Sequence, residues 1–346
     1  MAGLVPIPAG PPPPGRISNF HDPPSLSALM VVLFTVLIGL TAIVLVLRLV
    51  TTYHTKQISG VGVGWAEYTS IIATVLSIVQ SCIVLSLSKY MRHQWNVPLS
   101  WMTPSLFQRT YAQSVLAGPA IFSAKLSILL LYLRIFQIKR SMRVAIYCGI
   151  VAAALIYLPN IFVISYFCTA HVGEDWSLVV GLRCGDPRML WCYVGMAILS
   201  LLLDMYIVLL PVPVVVGLKL SEKGKVGVLL MFFTAGFAVI AATLHLIYRI
   251  EMLRTRDQMW RGAQLFICNA VENYVAIIVG CMPGCATYIK ICKRKSPFRT
   301  SVTSWAGPAR WEAMHSAYTS EPDHILPRVG SMRSRGSLPI LLSCRE

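Results

Sequence analysis

The chain of 346 residues is 56% hydrophobic and 13% charged, with a mean hydropathy of +0.66. That composition excludes a soluble globular domain, whose water-facing surface needs charge. The formal charge of +16 does not point to nucleic acid, because Lys and Arg gather at the ends of apolar runs and in the C-terminal tail, where acidic lipid headgroups account for them.

In chain order, residues 1–24 are Pro-rich ("PIPAGPPPPG") and are expected to be disordered. No basic stretch precedes an apolar core there, so the first span is expected to double as the targeting signal. A helix needs about 20 largely apolar residues to cross a bilayer. Seven such runs follow, at residues 26–49, 67–88, 112–135, 144–167, 190–215, 226–248 and 264–288. No regular series alternates with a period of two, which excludes a transmembrane β-barrel. The expected fold is an all-α membrane protein, a seven-transmembrane helix bundle over residues 25–290. Residues 291–346 are Ser-, Arg- and Pro-rich without hydrophobic periodicity and read as a basic, disordered tail.

The positive-inside rule orients the bundle. Arg48 and Lys56 flank the first loop, Arg134, Lys139, Arg140 and Arg143 the third, Lys219, Lys223 and Lys225 the fifth, and Lys290, Lys293, Arg294 and Lys295 follow the last span. The N-terminus is therefore expected outside and the C-terminus in the cytoplasm, in the plasma membrane or an endomembrane. Arg254, Arg256 and Arg261 in the sixth loop run against this trend.

Among ten cysteines, Cys82, Cys148, Cys268 and Cys281 lie in spans and read as apolar packing residues. Cys168 and Cys184 bracket the loop between spans four and five, and a disulfide between them is expected in an oxidising compartment. Cys281 and Cys285 form a C-x₃-C with no histidine or second pair nearby in sequence, so no metal ligand is assigned.

The ionisable residues inside spans carry the functional question. Lys125 lies nine residues before Arg134, about 13 Å along a helix, too deep to reach the interface and therefore expected to face the bundle. Its available carboxylates are Asp204, Glu272 and Glu67; Asp204 is the expected partner and Glu272 the second choice. Glu272 stands about 12 Å from the start of the seventh run, a depth suited to ligand contact or proton handling. His245 in span six is another inward candidate. Arg134 is either a charge anchor or a conformational lock. The seventh run has no lysine for a Schiff base, so no retinal, and no other cofactor, is expected.

Several stretches resemble the fungal rhodopsin-like seven-transmembrane family, which includes Pth11-type receptor-like proteins and integral membrane proteins of mycotoxin gene clusters of the satratoxin type. They are "KYMRHQWNVP", "AKLSILLLYLRIF", the Cys168, Trp176 and Cys184 spacing, "LLLDMYIVLLPVPVVVGLKL", "RDQMW" and "AVENYVAIIVGCMP". Lys125, Ser127, Arg134, Asp204, Pro211, Pro213, Asp257, Glu272 and Pro283 match the family pattern. Ala66 and Glu67 stand where the family has two aspartates, and His245 where it has an arginine. The resemblance implies a seven-helix fold and a receptor-like or gene-cluster-associated protein.

Two functions are weighed on these grounds. One is a receptor-like protein sensing a small or lipophilic ligand, with "QIKRSMR", "SEKGKVG" and the tail meeting a cytoplasmic signalling partner. The other is a membrane-bound enzyme or accessory protein of a secondary-metabolite pathway, a cyclase or isomerase in which Glu272 or Asp204 protonates a lipophilic intermediate. No Asp-rich diphosphate site, H-E-x-x-H or Gly-rich nucleotide loop is present, and a transporter would need an internal repeat that the halves lack.

Overall fold

The computed structural model describes residues 7–59, 64–135, 140–213 and 222–295. The helical bundle belongs to a unit of residues 1–291; of a second unit, 292–346, the structure describes 292–295, the end of the last helix. The expected basic tail lies otherwise outside the described residues, as do most of "QIKR" and the side chains of "EKGKVG".

Among the described residues, seven helical segments are long and apolar enough to cross a membrane: Ser27–Thr55, Trp65–Ser86, Pro104–Arg134, Arg140–Cys168, Pro187–Leu209, Gly236–Arg254 and Gln258–Met282. Among the described residues there are no strands, only two isolated bridges. In hydrocarbon every backbone group must be satisfied within its own segment, which leaves the helix as the available form. The helices are α1 (Ser27–Ser59), α2 (Trp65–Ser86), α3 (Pro104–Ile135), α4 (Arg140–Tyr157), α5 (Pro159–Cys168), α6 (Leu178–Cys184), α7 (Pro187–Leu209), α8 (Glu222–Arg254) and α9 (Gln258–Lys295). Span four comprises α4 and α5, broken where Pro159 lacks the N–H that would continue the ladder.

The patterning is inverted relative to a soluble bundle. Large apolar side chains such as Val36, Ile43, Val75, Leu155, Phe162 and Leu202 face outward, where lipid tails solvate them at no cost. Small polar residues turn inward: Glu67, Ser70, Thr74, Ser77 and Ser81 follow helical spacing along the buried stripe of α2. Their hydroxyls are satisfied locally, Ser70, Thr74 and Ser77 each donating to the carbonyl four residues back at 2.6–2.8 Å. Across the bundle, α9 meets that stripe through Asn273, donating to Ser77 Oγ at 2.8 Å, and Tyr274, whose hydroxyl lies 2.8 Å from Ser81 Oγ.

Small residues set the closest helix approach. A Cβ on Gly118 of α3 would lie 2.7 Å from the Tyr157 carbonyl oxygen, so only glycine lets α3 pass the break between α4 and α5.

Several sequence expectations change. Helix α3 begins at Pro104 and α9 at Gln258, each more than a turn before its apolar run, because polar residues extend them beyond the hydrophobic segment. Glu272 therefore sits 14 residues, about 21 Å, from the start of α9 rather than about 12 Å. Residues 7–26, which include the described part of the 1–24 stretch expected to be disordered, are laid along the 88–103 segment. Ala9 N donates to Val97 O at 2.8 Å, Leu99 N to Ile7 O at 2.8 Å and Leu26 N to Met91 O at 2.9 Å. Proline's missing donor is no obstacle in such an edge-like pairing. Cys82 and Cys148 lie on the outer face of the bundle, while Cys268 and Cys281 are buried.

Candidate functional site

Lys125 comes from the middle of α3, Asp204 and Ser200 from one face of α7 a turn apart, Glu272 from α9, His245 from α8 and Tyr157 from the last turn of α4. The bundle brings all six together. Lys125, 1% exposed, places Nζ 2.8 Å from Asp204 Oδ1, 3.1 Å from Glu272 Oε1 and 3.2 Å from Ser200 Oγ. The ammonium thus spends its three protons on three acceptors. The expected choice between Asp204 and Glu272 is replaced by a bridge to both. Glu67, the third candidate, lies elsewhere.

Ser200 links the pieces, donating to Glu272 Oε1 at 3.2 Å and meeting Tyr157 OH at 2.7 Å. The Tyr157 ring stands 5.1 Å from the ammonium, within cation–π range. His245 Nδ1 is 3.5 Å from Glu272 Oε2. One lysine thus faces two carboxylates, with His245 beside the second of them.

Four members of this cluster border a cavity of about 460 Å³, within the usual range for small-molecule sites, while Lys125 and Asp204 are not part of its lining. The wall is mainly apolar and aromatic, including Leu106, Phe107, Tyr111, Ile164, Met196 and Phe266. Glu272, Ser200, Tyr157 and His245 line its inner end.

Its other end lies under the segments that join the helices. Cys168 and Cys184 are joined by a disulfide. Within that loop Glu174 accepts from Arg183 at 2.7 Å and from His171 N at 3.2 Å. These bonds, the Arg183 one first, hold the Glu174 carboxyl below the usual carboxylate value. Trp176 packs on Tyr111 of α3, ring centres 5.6 Å apart. On the other side, His93 is sandwiched between Trp95 and Trp260 at 4.5 and 4.1 Å, nearly parallel to both. Its Nδ1 lies 2.6 Å from Asp257 Oδ2, and Asp257 Oδ1 accepts from Gln94 N at 3.0 Å. The clasp fixes the 88–103 segment to the start of α9.

A second charged group stands at the opposite end of the bundle. Arg134 of α3 donates to Glu67 Oε1 at 2.8 Å, and Glu67 Oε2 accepts from Gly64 N at 2.9 Å, capping α2. Arg48, expected as a loop-flanking charge, is 3% exposed and points inward instead. It donates to Ser70 Oγ at 2.9 Å and Gly280 O at 2.8 Å, with Nη2 3.9 Å from Glu67 Oε1. Ser70 Oγ in turn meets Ser127 Oγ at 2.5 Å. Four helices converge on this group, and α3 and α9 contribute to both: Lys125 and Arg134 on one, Glu272 and Gly280 on the other.

Sequence reasoning missed Arg48, because a cation at a span end reads as an anchor; Ser200 and Tyr157, ordinary residues in apolar runs; and Arg249. The last lies one turn beyond His245, on the cavity wall. Among the described residues no group of three His, Cys, Asp or Glu could hold a metal ion.

A "Fugralins biosynthesis cluster protein 2" of Gibberella zeae is 24% identical to the chain over 287 residues, covering 80% of this chain and 69% of that protein. A "SAT4 family membrane protein" of Emericella nidulans is 25% identical over 181 residues, 52% of this chain and 45% of that protein. No solved structure matches the chain. The fungal rhodopsin domain model matches residues 47–291, a range that holds Lys125, Asp204, Glu272, the Arg48–Glu67–Arg134 group and the disulfide. With most of its length so matched, the chain belongs to the fungal rhodopsin domain family.

Proposed function

We propose that this protein is a receptor-like membrane protein that binds a small lipophilic molecule in the cavity above Lys125. The observation that carries the reading is the union of an apolar chamber of about 460 Å³ with the charged cluster, built from five spans, that stands against its inner end through Glu272, Ser200, Tyr157 and His245. A ligand that alters the contacts of Glu272 alters α3 and α9, and both helices reach the Arg48–Glu67–Arg134 group at the far end. The loop charges would place the chamber's mouth outside and that group against the cytoplasm, where a signalling partner would read the change. The proposed ligand is not a Schiff-base-linked retinal, since residues 264–288 contain no lysine for that linkage.

The test compares lipophilic molecules extracted from the purified protein and from an Ala197→Trp variant, whose indole would fill the chamber. A species retained by the former and lost by the latter is the expected mass-spectrometric result. Identical extracts, with added lipophilic compounds stabilising neither protein, would overturn the proposal.

A second reading is favoured by one observation, that a relative is named for a biosynthesis cluster while a carboxyl, Glu272, faces the chamber. In it the protein is an enzyme or accessory of secondary metabolism, with Glu272 delivering a proton to a bound intermediate. A Glu272→Gln strain that accumulates an unrearranged precursor would support this second reading over the first.

A further inference from the structure

The cavity has two charged side chains among its lining residues, Glu272 and Arg249. Their surroundings differ. Glu272 Oε1 receives Lys125 and Ser200, and His245 stands at 3.5 Å from Oε2. Arg249 has no carboxylate opposite it among the described residues; its guanidinium lies over the Tyr193 ring, 4.5 Å from the ring centre.

The neighbouring arginines are provided for. Arg261 Nη1 meets Glu251 Oε2 at 2.8 Å and Arg183 Nη2 meets Glu174 Oε1 at 2.7 Å. Both pairs stand outside the cavity lining. Arg249 is five residues before the end of α8, about 7.5 Å inside the helix, and one turn from His245 toward the mouth. A guanidinium facing an apolar chamber at that depth is costly without an anion or water. Seated over an aromatic face, it keeps its fork of N–H donors at the cavity wall, a donor set suited to a planar carboxylate.

We infer that the cavity takes a lipophilic acid, with its carboxylate on Arg249 and its apolar body in the chamber that reaches down toward Ser200 and Glu272. The inference rests on the ligand-binding function proposed above and adds the chemical class. Tyr193 acts as a positioning residue: it holds the guanidinium and need not touch the acid. The charged cluster would not compete for the acid, since Lys125 already has three acceptors.

The experiment uses the full-length purified protein in detergent and three water-soluble probes with one apolar body: 4-phenylbutanoate, 4-phenylbutan-1-ol and 4-phenylbutan-1-amine. Binding is read from the shift in thermal unfolding across a concentration series at pH 7.5. The acid is expected to bind at least about tenfold more tightly than the alcohol, the usual worth of a hydrogen bond to a charged group. Arg249→Gln should remove that preference, so that acid and alcohol bind the variant alike, while Arg249→Lys keeps part of it. Tyr193→Leu should weaken the acid alone, and Tyr193→Phe should restore it, which a merely structural role for the ring would not produce. Acid and alcohol binding equally, or the amine binding best, would overturn the inference while leaving the ligand-binding reading intact. If none of the three binds, both fall together.

Discussion

Lys125 and Asp204 meet at 2.8 Å inside the bundle, with Glu272 3.1 Å from the same ammonium. Replacing Lys125 with Met strands two carboxylates, so the single variant should lose about 3–5 kcal/mol, the usual cost of breaking a buried pair by removing one partner. Adding Asp204→Asn and Glu272→Gln should return most of the folded yield, since neutral amides leave no buried charge to match. Folded yield in membranes, measured for each single and the triple variant, checks this; strictly additive losses would show that the three groups are not coupled.

At the opposite end, Glu67 and Arg134 are bonded but unequal. Arg134 is 39% exposed while Glu67 is 3% exposed and also faces Arg48. Arg134→Gln should therefore cost no more than about 1 kcal/mol, as for a solvent-screened pair. Glu67→Gln leaves Arg48 buried without its counter-charge and should cost about 3–5 kcal/mol. Chemical denaturation in mixed micelles would rank the two; an equal ranking contradicts the assignment of Glu67 as the shared anion.

Gly118 predicts a steric effect independent of charge. With a Cβ placed 2.7 Å from the Tyr157 oxygen, Gly118→Ala should lose about 1–3 kcal/mol through forced separation of α3 from α4. The melting temperature of the purified variant is the measurement. Gly39, with nothing within 4 Å of a Cβ, supplies the control, where alanine should stabilise α1 slightly.

The disulfide-bracketed loop should be acid-sensitive in a defined direction. Glu174 has its carboxyl pKa lowered from 4.5 by its bonds to Arg183 and the loop backbone. A depressed folded pKa means that the contribution to loop order is fully present above about 4.5 and fades as the pH falls through the lower folded value. In a His171→Asn background, which removes the imidazole that also faces Arg183 and Glu174, the emission of Trp176, obtained by difference from a Trp176→Phe variant, should hold steady from about pH 7 to 5 and change only below that. In Glu174→Gln the same transition should be absent.

Much of the fold is legible in the sequence because a bilayer leaves so few options. Runs such as 26–49 have to be helices, and an ammonium as deep as Lys125 has to turn inward. The partners of Lys125 are harder to read. Asp204 and Glu272 lie 79 and 147 residues away in the chain, and nothing local says whether one carboxylate or both will reach it. Arg48 is misread for a physical reason: a cation near a span end can reach headgroups or fold inward, and only the position of Gly280 and Ser70 decides. A usable signal is present in α2, where Glu67, Ser70, Thr74, Ser77 and Ser81 recur at helical spacing within an apolar run and mark the face that meets other helices.

The pairing of the first residues with the 88–103 segment has a consequence for how the chain is made. Ile7 and Leu99, joined by a backbone hydrogen bond, leave the ribosome 92 residues apart, roughly 5–20 s at ordinary elongation rates. Through that interval the amino-terminal segment lacks the partner that holds it in the folded protein. The roof over the chamber is thus assembled from the earliest residues made, but only after two spans are in place, and the His93–Asp257 contact must wait for some 160 residues more. Closure of the mouth belongs to the end of biogenesis, when the last helix arrives.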